Sequence, residues 1–339
     1  MSFFSKIFKD ESKDWFFDRV PENQTPDNFK VREVDKEKEY LSIVLKSMRI
    51  PYTRSGFKRF YATVHSSITL SHQGGTRAGF YVSTSAGKLE ELDEKNLHKV
   101  LINNKRLLGP IPYLGSDVNL DIGLFSIQSA DLLKPFISLL TQVSDLASVS
   151  IIKAAEPYVK PLETGIDLLL GSGNPTKLET GISTSFTNTM RTGYYVMMCV
   201  DKNQMKKEDL FIDPGDFKLL DKNKNAIEKY PYMVIQVSAE GSRDDWREIP
   251  EIKSTHDKLK EEAKKGKDED VDEAWKVFKR TVQFSDDLIE DHKDQIIKDI
   301  STDLNKKLGT GLTSSGGGID LMDLEDIKLF NSKELSKYL

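Results

Sequence analysis

In the stretch "SDVNLDIGLFSI" the apolar residues Val118, Leu120, Ile122 and Leu124 fall at every second position. That period belongs to a half-buried β-strand, and a helix cannot gather such residues onto one face. The same texture appears in "RFYATVHSSITL" and "RAGFYVST", with the turn-forming "SHQGGT" between them. It returns later in "KLETGISTSF", "TGYYVMMCV", "FKLLDKNKNAIEKY" and "YMVIQVSAEG". "KVLINNKRLLGPIPYLG" reads as a further hairpin with Asn103 and Asn104 at its tip. Regular alternation of strands with helices is missing, which argues against a doubly wound parallel sheet.

Between the two groups of strands the period changes. Leu132, Phe136, Leu139, Leu140 and Val143 form one helical stripe after Ser129, a suitable N-cap. A second apolar segment follows, interrupted by Pro157 and Pro161 and ended by Gly171. From 122 to 152 the only charges are Asp131, Lys134 and Asp145, so this pair is either a buried layer or a segment held against something else. Strands on both sides of it predict an α+β chain, with a β-sandwich-like core over 56–252 and a helical insert at 129–170.

Three further regions flank that core. Residues 1–55 read as a polar N-terminal extension whose Phe4, Ile7, Phe8 and Trp15 follow helical spacing, a short amphipathic helix. Residues 253–308 are charged and helical. There Val271, Ala274, Trp275, Phe278 and Val282 make one stripe, and Ser285 is placed to cap a last helix carrying Ile289, Ile296, Ile300 and Leu304. A glycine-rich linker spans 309–318, and a C-terminal docking segment fills 319–339.

Searches for chemistry along the chain return little. Cys199 is the one cysteine, so no intrachain disulfide forms, and its apolar neighbours predict an inert thiol. Asp221, Asn223 and Asn225 imitate the start of a calcium loop. Ala226 then replaces the glycine of the turn, and Tyr232 replaces the bidentate glutamate. Five histidines show no zinc spacing, and His256 and His292, set in charged helical stretches, are expected in solvent. Neither a nucleophile elbow nor a phosphate-binding glycine loop occurs. No catalytic residue, metal or cofactor is therefore assigned, and an enzyme is not expected.

The chain has 339 residues and a net charge of −5, which argues against nonspecific nucleic-acid binding. No stretch is apolar for long enough to cross a bilayer as a helix, and the opening residues lack a signal peptide's apolar run. A cytoplasmic location is the expectation. Two features point to partner proteins. "EGSRDDWREIPEI" gathers Arg243, Trp246 and Arg247, residue types enriched at binding hot spots; alternatively Trp246 and Ile249 fasten the helical region to the core. In the tail, Leu321, Leu324, Ile327 and Phe330 interleave with Asp320, Asp323, Glu325 and Asp326 behind the flexible linker, a pattern suited to tethered docking on another protein or to self-association. The expected function is a noncatalytic adaptor. The second reading is a membrane-surface or membrane-inserting protein using the N-terminal helix and the 129–170 hairpin.

Overall fold

The computed structural model describes residues 15–50, 54–55, 58–59, 61–71, 77–85, 101–127, 176–187 and 189–308. The helical insert at 129–170, the linker and the docking segment lie outside the described residues, as do residues 1–14. The chain divides into two compact units: residues 1–253 with 284–292, and residues 254–283 with 293–339. It contains both helices and antiparallel sheets, an α+β composition.

The first unit holds the strands. They are β1 (Trp15–Arg19), β2 (Tyr40–Arg49), β3 (Arg54–Ser55), β4 (Lys58–Arg59), β5 (Tyr61–Ser71), β6 (Arg77–Ser85), β7 (Leu101–Pro112), β8 (Val118–Ile127), β9 (Thr176–Phe186), β10 (Gly193–Asp201), β11 (Phe211–Ile212), β12 (Leu219–Leu220) and β13 (Tyr232–Glu240). Five of them form one sheet in the order β1-β10-β13-β2-β7, and four form another in the order β6-β5-β8-β9. Every named pairing is antiparallel. The alternation read from 118–124 is realised in β8, where Val118, Leu120, Ile122 and Leu124 are all fully buried. One apolar cluster draws on both sheets: Leu41, Ile43 and Leu45 of β2 and Ile235 of β13 join Val64 and Ile68 of β5 and the inward residues of β8.

The five-stranded sheet is covered on its other side as well. Phe16, Val196, Met198, Tyr232 and Val234 cluster with Leu210, Ile212 and Leu219, which come from the irregular stretch between β10 and β13. That stretch carries only the two-residue strands β11 and β12, so of the strand candidate at 217–230 only Leu219–Leu220 is a strand, and a turn follows it. Its turn-forming residues explain why. Asp221 Oδ1 accepts from the backbone N–H groups of Asn223 and Asn225 at 2.8 and 2.9 Å, bending the chain where a strand would run straight.

Two further expectations change. Residues 101–112 are one strand, not a hairpin. Leu45 opposes Lys105 and Ser47 opposes Ile102, so Asn103 and Asn104 face Lys46 alone, and Asn104 takes a φ of 40°. The asparagine pair makes a bulge, for which its tolerance of the left-handed region suits it equally well. Residues 40–49, read as part of a polar extension, form β2, flanked by β13 and β7. Their burial alternates along the strand from Leu41 to Ser47 despite the charged sequence on either side. Trp15, the end of the expected amphipathic helix, opens strand β1.

Helices follow β13: α1 (Pro250–Lys265), α2 (Asp268–Gln283) and α3 (Glu290–Leu308). In the second unit the α2 stripe is as read: Val271, Ala274, Phe278 and Val282 are buried. Trp275 stacks on Phe278 at 5.9 Å. His256 is buried against the same ring, with centroids 5.5 Å apart, and so is not in solvent. Lys265 pairs with Glu261 and Glu262, and Lys276 with Asp272, the near-turn spacing that supports an exposed helix face. Ser285 does not cap α3, which begins at Glu290; its hydroxyl accepts from the Asp287 N–H at 3.3 Å, within the turn before the helix. Among the described residues no helix is long and apolar enough to cross a membrane.

Candidate functional site

The segment that leaves β13 carries the site residues expected in the described part of the chain. After Glu240 the backbone turns into a short 3-10 helix, Asp244–Glu248, before Pro250 opens α1. Pro250 at the first helical position gives up no backbone hydrogen bond, which fixes the start of the helix there. The 3-10 turn is tight, so consecutive side chains go to different sides, and Trp246 turns inward while Arg247 stays exposed.

Trp246 is 6% exposed and Ile249 is 3% exposed, so both work as apolar anchors for the segment. The Arg247 guanidinium lies over the indole, 4.2 Å from the ring centroid. A cation–π contact of this kind holds a flexible arginine in one place at the surface. Glu248 reaches Lys253 at 2.9 Å, and both are more than half exposed.

Arg243 goes the opposite way. Its side chain is fully buried, with Nε donating to Asp245 Oδ1 at 2.7 Å and Nη1 to the Asp287 carbonyl at 3.2 Å. Its Nη2 is buried and has no hydrogen-bond partner. Asp245 is shared, since its Oδ2 accepts from Arg106 Nη1 of β7 at 3.4 Å. Arg243 thus ties three pieces of the first unit together: the end of β13, strand β7 through Asp245, and residues 284–292.

Tyr40 completes that junction, and nothing in its sequence neighbourhood announced it. At 1% exposure it opens β2, and its hydroxyl accepts from the Ile289 N–H at 3.0 Å. The same oxygen is 2.9 Å from His292 Nδ1, with the two rings edge-on at 5.6 Å. His292 is therefore buried and hydrogen-bonded, contrary to the solvated position expected from its charged neighbours. Burial pushes the Tyr40 hydroxyl well above the ordinary tyrosine range, so it stays protonated and polar at any physiological pH. The only sequence signal for this contact is a tyrosine opening an apolar strand, which names no partner.

Arg243, Trp246 and Arg247 are thus brought together within one turn, but with different exposures. Leu321, Leu324, Ile327 and Phe330 lie outside the described residues. Cys199 is half-buried in β10. Among the described residues no group of three histidine, cysteine, aspartate or glutamate side chains is arranged to hold a metal ion. No family model matches the chain, and no curated protein or solved structure is significantly similar to it.

Proposed function

We propose that this chain is a noncatalytic interaction protein that binds partner proteins through its β-rich core and through the tethered segment at 319–339. The observation that carries the reading is Arg247, exposed and stacked on an immobilised tryptophan, with Asp244 and Glu248 beside it. An arginine already held in place loses less entropy on binding than a free one, and arginine is among the residues that dominate interface energetics. The buried Trp246 acts in this reading as the platform and Arg247 as the contact. The core is proposed to be a β-sandwich in which the two sheets share the apolar cluster described above, with residues 129–170 as a helical insert between β8 and β9.

The test is capture from the native cell by three baits: the full chain, a version ended at Leu308, and Arg247→Glu. The expected result is a defined partner held by the full chain, weakened about tenfold or more by Arg247→Glu and lost or weakened without the tail. Equal capture by all three baits would refute both contact points. Retention by lipid vesicles without any protein partner would replace this reading with that of a membrane-surface protein.

A further inference from the structure

The outer face of the four-stranded sheet is buried at one end, away from both apolar clusters. In β8, Val118, Leu120, Ile122 and Leu124 point into the core, so Asn119, Asp121, Gly123 and Phe125 point the other way. Phe125 is nevertheless 1% exposed and Asp121 6%, and Gly123 is buried between them. Phe125 belongs to neither of the two clusters. The burial fades along the sheet. Asn119 is half-buried, and Ser185 and Ser183 of β9, opposite Asn119 and Asp121, are exposed. The covered end is the one where the chain leaves β8 at Ile127 and re-enters β9 at Thr176, two residues that face each other.

The same end is shaped for close approach. Gly123 and Gly181 are cross-strand partners, both buried and both without a side chain, and they leave a recess between Phe125 and Asp121. Glycine inside a strand marks a place where another element comes close to the backbone. Beside the recess, the Asp121 carboxylate has no hydrogen-bond or ion-pair partner among the described residues. Burying a carboxylate is costly unless a cation or donor meets it.

We infer that residues 129–170 of the same chain sit on this end of the sheet. Their apolar stripe, with Leu132, Phe136 and Leu139, covers Phe125 and the glycine recess, and one of their lysines meets Asp121. Residues 86–100 leave from the same end, since Ser85 of β6 and Phe125 both oppose Thr63 of β5. They would bring Glu90, Glu91, Asp93 and Glu94 toward a buried acid, which like-charge repulsion opposes. Residues 129–170 instead have a stripe that needs a covering surface, and Lys134, Lys153 and Lys160 are their only cations. Both ends of the segment also start from the one point at Ile127 and Thr176, next to the recess. Seated there, the segment adds a layer to the core. The face is then unavailable to partner proteins, and the segment is unavailable to a bilayer. Neither Arg247 nor the tail takes part, so failure here leaves the capture experiment to decide the broader reading separately.

The experiment starts with the full chain at low concentration and a water-soluble carbodiimide, which joins a carboxylate to an amine in contact with it as an amide. Mass spectrometry of the digested monomer should find Asp121 linked to Lys134, Lys153 or Lys160. With glycinamide added as a small competing amine, the exposed Asp117 should be labelled and Asp121 should not. In a second chain an Asn-Gly turn replaces residues 128–175, which the facing ends Ile127 and Thr176 allow. There Asp121 should be labelled as readily as Asp117, with the β8 amides of Leu120 and Ile122 still protected from exchange as the control for folding. If the shortened chain does not fold, the link in the full chain decides alone. The inference is overturned if Asp121 is labelled like Asp117 in the full chain, or stays protected in the folded shortened chain. It is equally overturned if no link forms, if Asp121 links to Lys58, Lys88, Lys95 or Lys99 instead, or if the link joins two copies of the chain.

Discussion

Gly109 leaves the backbone least choice. It has a φ of 80°, and a Cβ built there would run into the Leu41 carbonyl oxygen of the neighbouring strand. Both effects act against any side chain, so Gly109→Ala should lower stability by about 2 kcal/mol or more, read as a lower urea midpoint with an unchanged slope. Tyr40 is constrained by polarity instead. Tyr40→Phe leaves the buried Ile289 N–H without its acceptor and removes the partner of His292 Nδ1. The expected loss is about 1–3 kcal/mol. In a double-mutant cycle with His292→Ala the two losses should not add, because each substitution removes the same contact. Additive losses would show that the Tyr40–His292 contact contributes nothing of its own.

The connection from β1 to β2 is held by one element-level device. Arg32 reaches both carboxylate oxygens of Glu39 at 2.7 and 2.6 Å, and its Nη2 also reaches the Ala239 carbonyl on β13 at 3.1 Å. The hydrogen bond from Arg32 holds the Glu39 carboxyl below its ordinary range. A carboxyl depressed on folding adds stability above its unfolded value, and that stability is lost as pH falls through the lower, folded value. Arg32 is 43% exposed, so solvent screening keeps the contribution small, below about 1 kcal/mol. The wild-type chain should thus lose slightly more stability than Glu39→Gln on going from neutral pH into the acid range, and identical pH profiles would remove Glu39 from the account. At this scale much of the fold was legible in the sequence. The period of two in β8, the strand texture of β5 and β6 and the stripe of α2 each follow from local residue chemistry. What escaped the reading depends on distant partners. Asn103-Asn104 fits a hairpin tip and a strand bulge equally well, and only the register with β2 decides between them. The burial of His256 and His292 is set by Phe278 and Tyr40, far from either in sequence. The candidate site was half legible: Arg243, Trp246 and Arg247 stood out by residue type, but a sequence cannot say which of three neighbours points inward.

At the scale of the whole molecule, the pairings join residues that are far apart in sequence. Leu45 opposes Ile235, and Phe17 opposes Met197, so closing the five-stranded sheet means closing very long loops. Folding dominated by such contacts is slow, on the order of milliseconds to seconds. Stopped-flow refolding should place the recovery of tertiary fluorescence in that range, behind the earlier far-ultraviolet signal of α1 to α3. Simultaneous recovery on a microsecond scale would contradict this. The strand order has a further consequence when the protein is made from one end. On the ribosome, β1 has no neighbour in the sheet until β10 has emerged, and β2 and β7 stay separated from that pair until β13 is synthesised. A chain terminated between Asp201 and Tyr232 therefore carries two half-sheets, each with an uncovered border where the missing strand belongs. Prematurely ended products would be sticky fragments rather than smaller working versions, and a separately supplied β13 would be the piece able to rejoin them.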